Sequence, residues 1–222
     1  MKQAVICFTR VPLAGRTKTR LLPVLTAEQC AALHTAFLQD ISAVLAVVSA
    51  DLFIAYDDPT GNEGAILYPI FPNSSFFPQQ GAGLGERMDR ALCHVLMLGY
   101  SPVVLIGSDL PLLTAGHINA AFDSLRGADV ALGATPDGGY YLVGVNAPCP
   151  VLFNGQTYGS GSVLQNALAA AQSAGLSVAL APPCRDVDIP EDLYALRNTL
   201  RGAPTATAEF LRTLPPEKEE LP

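Results

Sequence analysis

Apolar residues recur along this chain in two rhythms. Short unbroken runs at Ala4–Phe8, Asp51–Tyr56, Pro102–Ile106, Asp129–Gly133 and Tyr140–Val145 predict buried strands, and Ser177–Leu180 reads as extended. Between them the spacing changes. Leu33, Phe37, Ile41, Val44, Leu45 and Val48 recur at three- and four-residue steps, and Thr26 with Gln29 forms a capping box at the start of that helix. Leu84, Met88, Ala91, Leu92 and Val95 mark a second helix ending near Gly99. Thr114 opens a third running to about Leu125, Ser162–Ala174 is a fourth closed by Gly175, and Pro190 with Glu191 and Asp192 opens a fifth. Asp58–Asn62 has turn chemistry, whereas Ile66–Phe77 is apolar but interrupted by prolines and fits neither rhythm. Strands separated by helices predict an α/β fold: a mostly parallel sheet covered on both faces. The expected organisation is one domain over residues 1–214, followed by an acidic, proline-rich tail at 215–222.

Composition narrows the function classes. Of 222 residues, 50% are apolar and 15% charged, which supplies a core and excludes wholesale disorder. A net charge of -7 argues against nucleic acid or an anionic membrane as partner. The first apolar run is too short for a signal peptide, and the stretch from Ile41 to Tyr56 is broken by Asp51, so a soluble cytoplasmic protein is expected. Cys7, Cys30, Cys93, Cys149 and Cys184 are odd in number and lack a C-x-x-C pair, which argues against disulfides and thiolate zinc. Phe71–Phe77 fits a subunit contact or a covered loop, so monomer and homodimer both stay open.

Against the acidic background, one segment is cationic. No Asp or Glu precedes Glu28, while Lys2, Arg10, Arg16, Lys18 and Arg20 all do. The run Gly15-Arg16-Thr17-Lys18-Thr19-Arg20 follows the first strand, where α/β folds bind phosphates. Glycine permits close backbone approach, lysine is a point charge, and arginine offers a two-pronged fork. Thr17 before Lys18 excludes a Walker A loop, and Glu86 stands where a dinucleotide fingerprint needs its third glycine. Gln80–Gly85 is either a flexible loop into a helix or a nucleotide-contacting loop.

Two acidic motifs follow. Val103–Ile106 runs into Gly107-Ser108-Asp109, placing a carboxylate just past the C-terminal end of a buried strand, where it suits Mg2+. Asp186 and Asp188 share a side if their segment is extended, so Asp188 can complete a metal pair with Asp109, and the position also suits a cap on the following helix, the two roles being compatible. Asp137-Gly138-Gly139-Tyr140-Tyr141 is a hairpin signal that also leaves room for a ligand beside a tyrosine. His34, His94 and His117 are isolated, and Gly159-Ser160-Gly161 lacks the frame of a nucleophile elbow.

Taken in order, Lys18-Thr19-Arg20-Leu21, Gln80–Met88, Gly107–Pro111, Asp137–Leu142 and Asp186–Leu193 resemble the glycosyltransferase-A-like, or nucleotide-diphospho-sugar transferase, superfamily. Within it the chain is similar to a bacterial family labelled as glycosyltransferases, to 2-phospholactate guanylyltransferase and, more distantly, to molybdenum-cofactor guanylyltransferase. The resemblance implies a three-layer α/β/α sandwich with a mixed, mainly parallel sheet. It implies a transferase that moves a glycosyl or nucleotidyl group from a nucleotide or nucleotide-sugar donor to a small-molecule acceptor. A non-catalytic nucleotide-binding protein is the alternative on the same fold. Lys18, Arg20 and Asp109 become the catalytic candidates, and Asp109 and Asp188 the ligands of Mg2+ or Mn2+. Arg10, Gly15, Arg16, Lys18, Gln80, Gly81, Gly83 and Ser108 fall to the nucleotide, and Asp137, Gly138, Gly139 and Tyr140 to the acceptor. Many relatives carry a Trp-Ser pair where this chain reads Gln156-Thr157-Tyr158-Gly159-Ser160. The guanylyltransferases resemble Gly-Gly-Thr-Asn where Tyr140 stands here, so the acceptor side departs from the pattern.

Overall fold

Seven strands form one sheet in the order β3-β2-β1-β4-β6-β5-β7. The strands are β1 (Lys2–Arg10), β2 (Asp51–Asp57), β3 (Ser75–Pro78), β4 (Tyr100–Ile106), β5 (Val130–Ala134), β6 (Tyr140–Val145) and β7 (Val178–Ala181). The helices are α1 (Ala27–Leu45), α2 (Leu84–Met97), α3 (Ala115–Ser124), α4 (Val163–Ser173), α5 (Pro190–Thr199) and α6 (Ala206–Thr213). This computed structural model describes residues 2–58 and 60–215, so the expected tail lies outside the described residues apart from Pro215. Among them, no helix is long and apolar enough to cross a membrane.

Every neighbouring pair is parallel except those of β6, which runs antiparallel to both β4 and β5. The sheet is therefore mixed and mainly parallel. Alternation along each strand divides the core. Val5, Cys7, Ile54, Val104 and Ile106 face Leu38, Ile41 and Leu45 of α1 and Ile118, Ala121 and Phe122 of α3. Ala4, Ile6, Val103 and Leu105 face Met88, Leu92 and Val95 of α2 and Ala167 and Ala171 of α4. Each fully buried Leu, Ile or Phe contributes about 1.5–3 kcal/mol through area removed from water. Helix α1 is buried on its other side too, where Cys30, Leu33 and Phe37 meet Leu193 and Leu196 of α5 and Ala208 and Leu211 of α6.

The Thr26 capping box forms as expected: Gln29 N donates to Thr26 Oγ1 and Thr26 N to Gln29 Oε1. In the expected turn, of which residue 59 lies outside the described residues, the Asp58 carboxylate accepts from Thr60, Gly61, Glu63 and Gly64 amides. Strand β3 begins inside the proline-broken stretch and ends one residue beyond it, at Pro78. It sits at the sheet edge beside β2, where a missing amide costs no ladder bond. Helix α6 lies in a stretch where no motif was singled out. Its first turn is held by the Asp40 carboxylate, which accepts from Ala206 N and Thr207 N.

One consequence of the strand order sets up the site. From β1 the chain builds outward through β2 and β3, then returns to place β4 on the other side of β1. The crevice outside the carboxyl ends of β1 and β4 is thus a topological switch point, the position where open α/β sheets bind ligands.

Candidate functional site

A cavity of about 870 Å3 opens at that switch point. Its walls include Arg10 at the end of β1, Lys18 and Arg20 from the loop beyond, Ser108 and Asp109 after β4, and Asp186 and Asp188 before α5. Asp137, Gly139 and Tyr140 of the β5–β6 hairpin, Gly83 at the start of α2, and Tyr158 complete the far side.

The charges meet at Lys18, whose side chain is 3% exposed. Its Nζ lies 2.7 Å from Asp109 Oδ1 and 3.2 Å from Asp188 Oδ1, and donates also to Val187 O at 2.5 Å. The Phe37 ring lies beneath, with its centroid 5.4 Å away. Lys18 occupies left-handed backbone at φ 52°, a conformation that non-glycine residues adopt at a cost. The following short 3-10 helix, Thr19–Leu21, uses the Lys18 carbonyl to accept from Leu21 N. This local geometry turns Lys18 inward and leaves Arg20 outside, 3.9 Å from Asp188 Oδ2 and 69% exposed.

Asp109 is fixed from several directions. Its carbonyl accepts from Val187 N, tying the end of β4 to the segment before α5. Burial alone raises its carboxyl pKa, but the Lys18 ammonium and His34 reverse this and hold it well below the usual range. His34 Nδ1 lies 3.6 Å from Asp109 Oδ1, while Nε2 is 3.1 Å from Thr9 Oγ1 and 3.3 Å from Arg10 O. Asp186 shows the opposite shift. Burial, and then the neighbouring Asp188 and Asp137 carboxylates, push it up to about 6.

Asp188 is not the helix cap that its position before Pro190 allowed. Ile189 occupies the N-cap, and Asp192 Oδ2 accepts from Asp188 N and Ile189 N. The Asp188 carboxylate is therefore left for Lys18 and the cavity.

Several candidate residues sit elsewhere. Gly15 (φ +74°) serves an exposed turn, and Arg16 is exposed with its carbonyl accepting from Arg10 Nη1. Gly81 carries φ +138° and gives its carbonyl to Arg87 Nε, so it shapes the loop from behind. Gln80 lines a separate hollow of about 100 Å3 with His94. Gly138 faces protein: a Cβ there would lie 2.0 Å from Gly161 O. None of these five lines the main cavity.

Other wall residues were not singled out as site candidates, although Arg87 lies within the Gln80–Met88 segment. His34 sits on the apolar side of α1 and so reads as core. Arg87, on α2, is 3.2 Å from Asp57 at the end of β2, and Gln79 donates to Thr9 O and Ala55 O. Asp57 had a usable signal, since it ends a buried strand as Asp109 nearly does.

The profile of a family described as an uncharacterized protein conserved in bacteria (DUF2064) matches residues 40–160. The chain belongs to this family. It also aligns with the structure of a candidate nucleotide-diphospho-sugar transferase from Desulfovibrio desulfuricans G20 at 34% identity and a TM-score of 0.90. That match covers 96% of this chain and 95% of that chain. 4-Diphosphocytidyl-2C-methyl-D-erythritol synthase shares the fold at 13% identity and a TM-score of 0.59, over 90% of this chain and 99% of that chain. CMP:2-keto-3-deoxy-manno-octonic acid synthetase, solved with CTP, shares it at 10% identity and 0.58, over 91% and 99%. No curated protein matches the sequence. The DUF2064 chain thus has the fold of nucleotide-diphospho-sugar transferases and cytidylyltransferases.

Proposed function

We propose that this protein is a metal-dependent transferase that moves a nucleotidyl or glycosyl group from a nucleotide donor to a small-molecule acceptor. The observation that carries the reading is the pairing, in one cavity at the switch point, of two carboxylates with exposed arginines. A cavity of about 870 Å3 accommodates a nucleotide, and Arg10 and Arg20 present their guanidinium groups to its phosphates.

The metal fit rests on donor chemistry. Asp109 and Asp188 supply oxygen ligands, the type that Mg2+ and Mn2+ prefer. Among the described residues, no group of three or more His, Cys, Asp or Glu is arranged to hold a metal ion by itself. Two carboxylates completed by substrate phosphate oxygens match the way Mg2+ is usually held. When bound, the ion would neutralise charge on the phosphates.

Arg20 orients the phosphates and stabilises negative charge as the leaving group departs. Asp137, Gly139 and Tyr140 line the same cavity and would receive the acceptor. In nucleotidyl transfer, an acceptor oxygen attacks the α-phosphorus, the bond to the bridging oxygen breaks, and pyrophosphate leaves. In glycosyl transfer, the acceptor attacks the anomeric carbon and a nucleoside diphosphate leaves. Arg10 and Arg20 on the cavity wall favour the first, because pyrophosphate needs positive charge around it.

The test is a thermal-shift panel of the four NTPs and common nucleotide sugars with Mg2+, followed by analysis of released product. At least one donor is expected to raise Tm by several degrees, since a ligand at 100 times its Kd stabilises by about 2.7 kcal/mol. Arg20→Ala is expected to weaken that donor about tenfold, the loss of one charge-assisted hydrogen bond, while leaving the unliganded Tm nearly unchanged. Pyrophosphate among the products identifies nucleotidyl transfer. Absence of any shift with every donor would defeat the proposal.

A further inference from the structure

The Lys18 ammonium has three N–H donors and three oxygen acceptors around it: Asp109 Oδ1, Asp188 Oδ1 and Val187 O. It is saturated by protein. The side chain is 3% exposed, whereas those of Asp109 and Asp188 are 38% and 42% exposed. The acids therefore open onto the cavity while the cation between them does not. We infer that Lys18 is a built-in counter-ion that holds Asp109 and Asp188 together and competes with the divalent cation for their oxygens. It is a positioning residue: its three donors are taken by Asp109, Asp188 and Val187, leaving none for a phosphate.

The physical case is one of charge and geometry. Two carboxylates sharing one ammonium carry a net charge of -1, and Asp137 and Asp186 add to the acidic wall. Two carboxylates this close together, with no cation between them, would repel one another. Lys18 removes most of that repulsion, at the cost of occupying the oxygens that face inward. A divalent cation must then outcompete a tethered ammonium, so affinity for metal alone is kept low. A donor that brings its own phosphate oxygens alongside the metal supplies the missing ligands. The backbone is consistent with this role: left-handed geometry at Lys18 is what directs the side chain to the acids. The inference rests on Asp109 and Asp188 being the metal pair.

The first experiment uses wild-type protein and Mn2+ alone. Binding is followed by the loss of the free-ion electron paramagnetic resonance signal, and lysine exposure by labelling with an amine-reactive acetylating reagent and peptide mass spectrometry. Lys2, whose side chain is 79% exposed, is the internal control. Lys18 is expected to resist labelling without metal and to gain at least fivefold at Mn2+ saturation, with Lys2 unchanged. The second experiment compares Lys18→Met, which is expected to bind Mn2+ at least tenfold more tightly than wild type and to gain more Tm from it. Should that variant fail to fold, the wild-type labelling decides. Mn2+ binding to wild type without a rise in Lys18 labelling, or equal or weaker binding by a folded K18M, overturns the counter-ion role while leaving the metal pair standing. No Mn2+ binding by either protein removes the metal pair and the inference with it.

Discussion

Asp109→Asn is expected to reduce the proposed transfer at least about 100-fold, the cost of removing one preorganised group that stabilises charge in the reaction. The substitution preserves shape and removes charge, so its effects follow from electrostatics alone. Lys18 keeps Asp188 and Val187 O as acceptors but loses the nearer of its two counter-charges. Breaking one arm of a buried pair leaves part of the lysine charge uncompensated, and a stability loss of about 2 kcal/mol is expected, below the roughly 3–5 kcal/mol of a fully broken pair because Asp188 remains. His34 loses its anionic neighbour as well. Turnover under saturating donor, alongside urea unfolding of wild type and variant, separates the catalytic loss from the structural one. Full activity in D109N would remove this residue from the chemistry.

Gly138→Ala is expected to be the most damaging single change outside the charged centre. The residue has φ +87°, which disfavours any side chain, and an added Cβ would meet Gly161 O at 2.0 Å and its carbonyl carbon at 2.7 Å. Neither group can step aside cheaply. Leu164 N donates to Gly138 O, Gly138 N donates to Thr135 O, and the hairpin is thereby locked to the start of α4. A destabilisation of at least about 3 kcal/mol follows from the combined strain and overlap, or roughly 8 °C in Tm. Gly155→Ala is the matched control: its φ is +69° but no atom lies within 4 Å of the added Cβ. It isolates backbone strain, about 1 kcal/mol. Equal losses in the two variants would show that the Gly138–Gly161 approach is not what requires glycine.

The alternation of strand and helix patterns made the architecture readable because both sheet faces are covered, so nearly every central strand is a continuous apolar run. Ile66–Phe77 was not readable because β3 is a short edge strand ending in Pro78, and an edge does not need the pattern of a central strand. The charged centre was partly legible. Asp109 and the loop after β1 stand where any α/β sheet concentrates ligands, which is a rule of topology and needs no tertiary detail. What the linear pattern could not tell was which cation faces inward. Lys18 and Arg20 are two residues apart and chemically alike as phosphate binders, yet one is buried and the other exposed, because a left-handed residue followed by a 3-10 turn separates their directions. Asp188 illustrates the same limit. As a cap and as a ligand it looks identical in sequence, and the choice is made by Asp192, one helical turn further on, which takes over the capping bonds. The glycines carry a second demand that the linear pattern does not reveal: Gly138 and Gly81 are crowded by neighbouring protein atoms.

The most direct test of the proposed active centre is a crystal structure with Mn2+ and a non-hydrolysable form of the donor identified by thermal shift, read from the anomalous signal of manganese. An anomalous peak bridging Asp109, Asp188 and the donor phosphates, with Arg20 on the phosphate oxygens, is the predicted result. Donor phosphates bound away from both acids, or manganese held elsewhere on the molecule, would contradict the account.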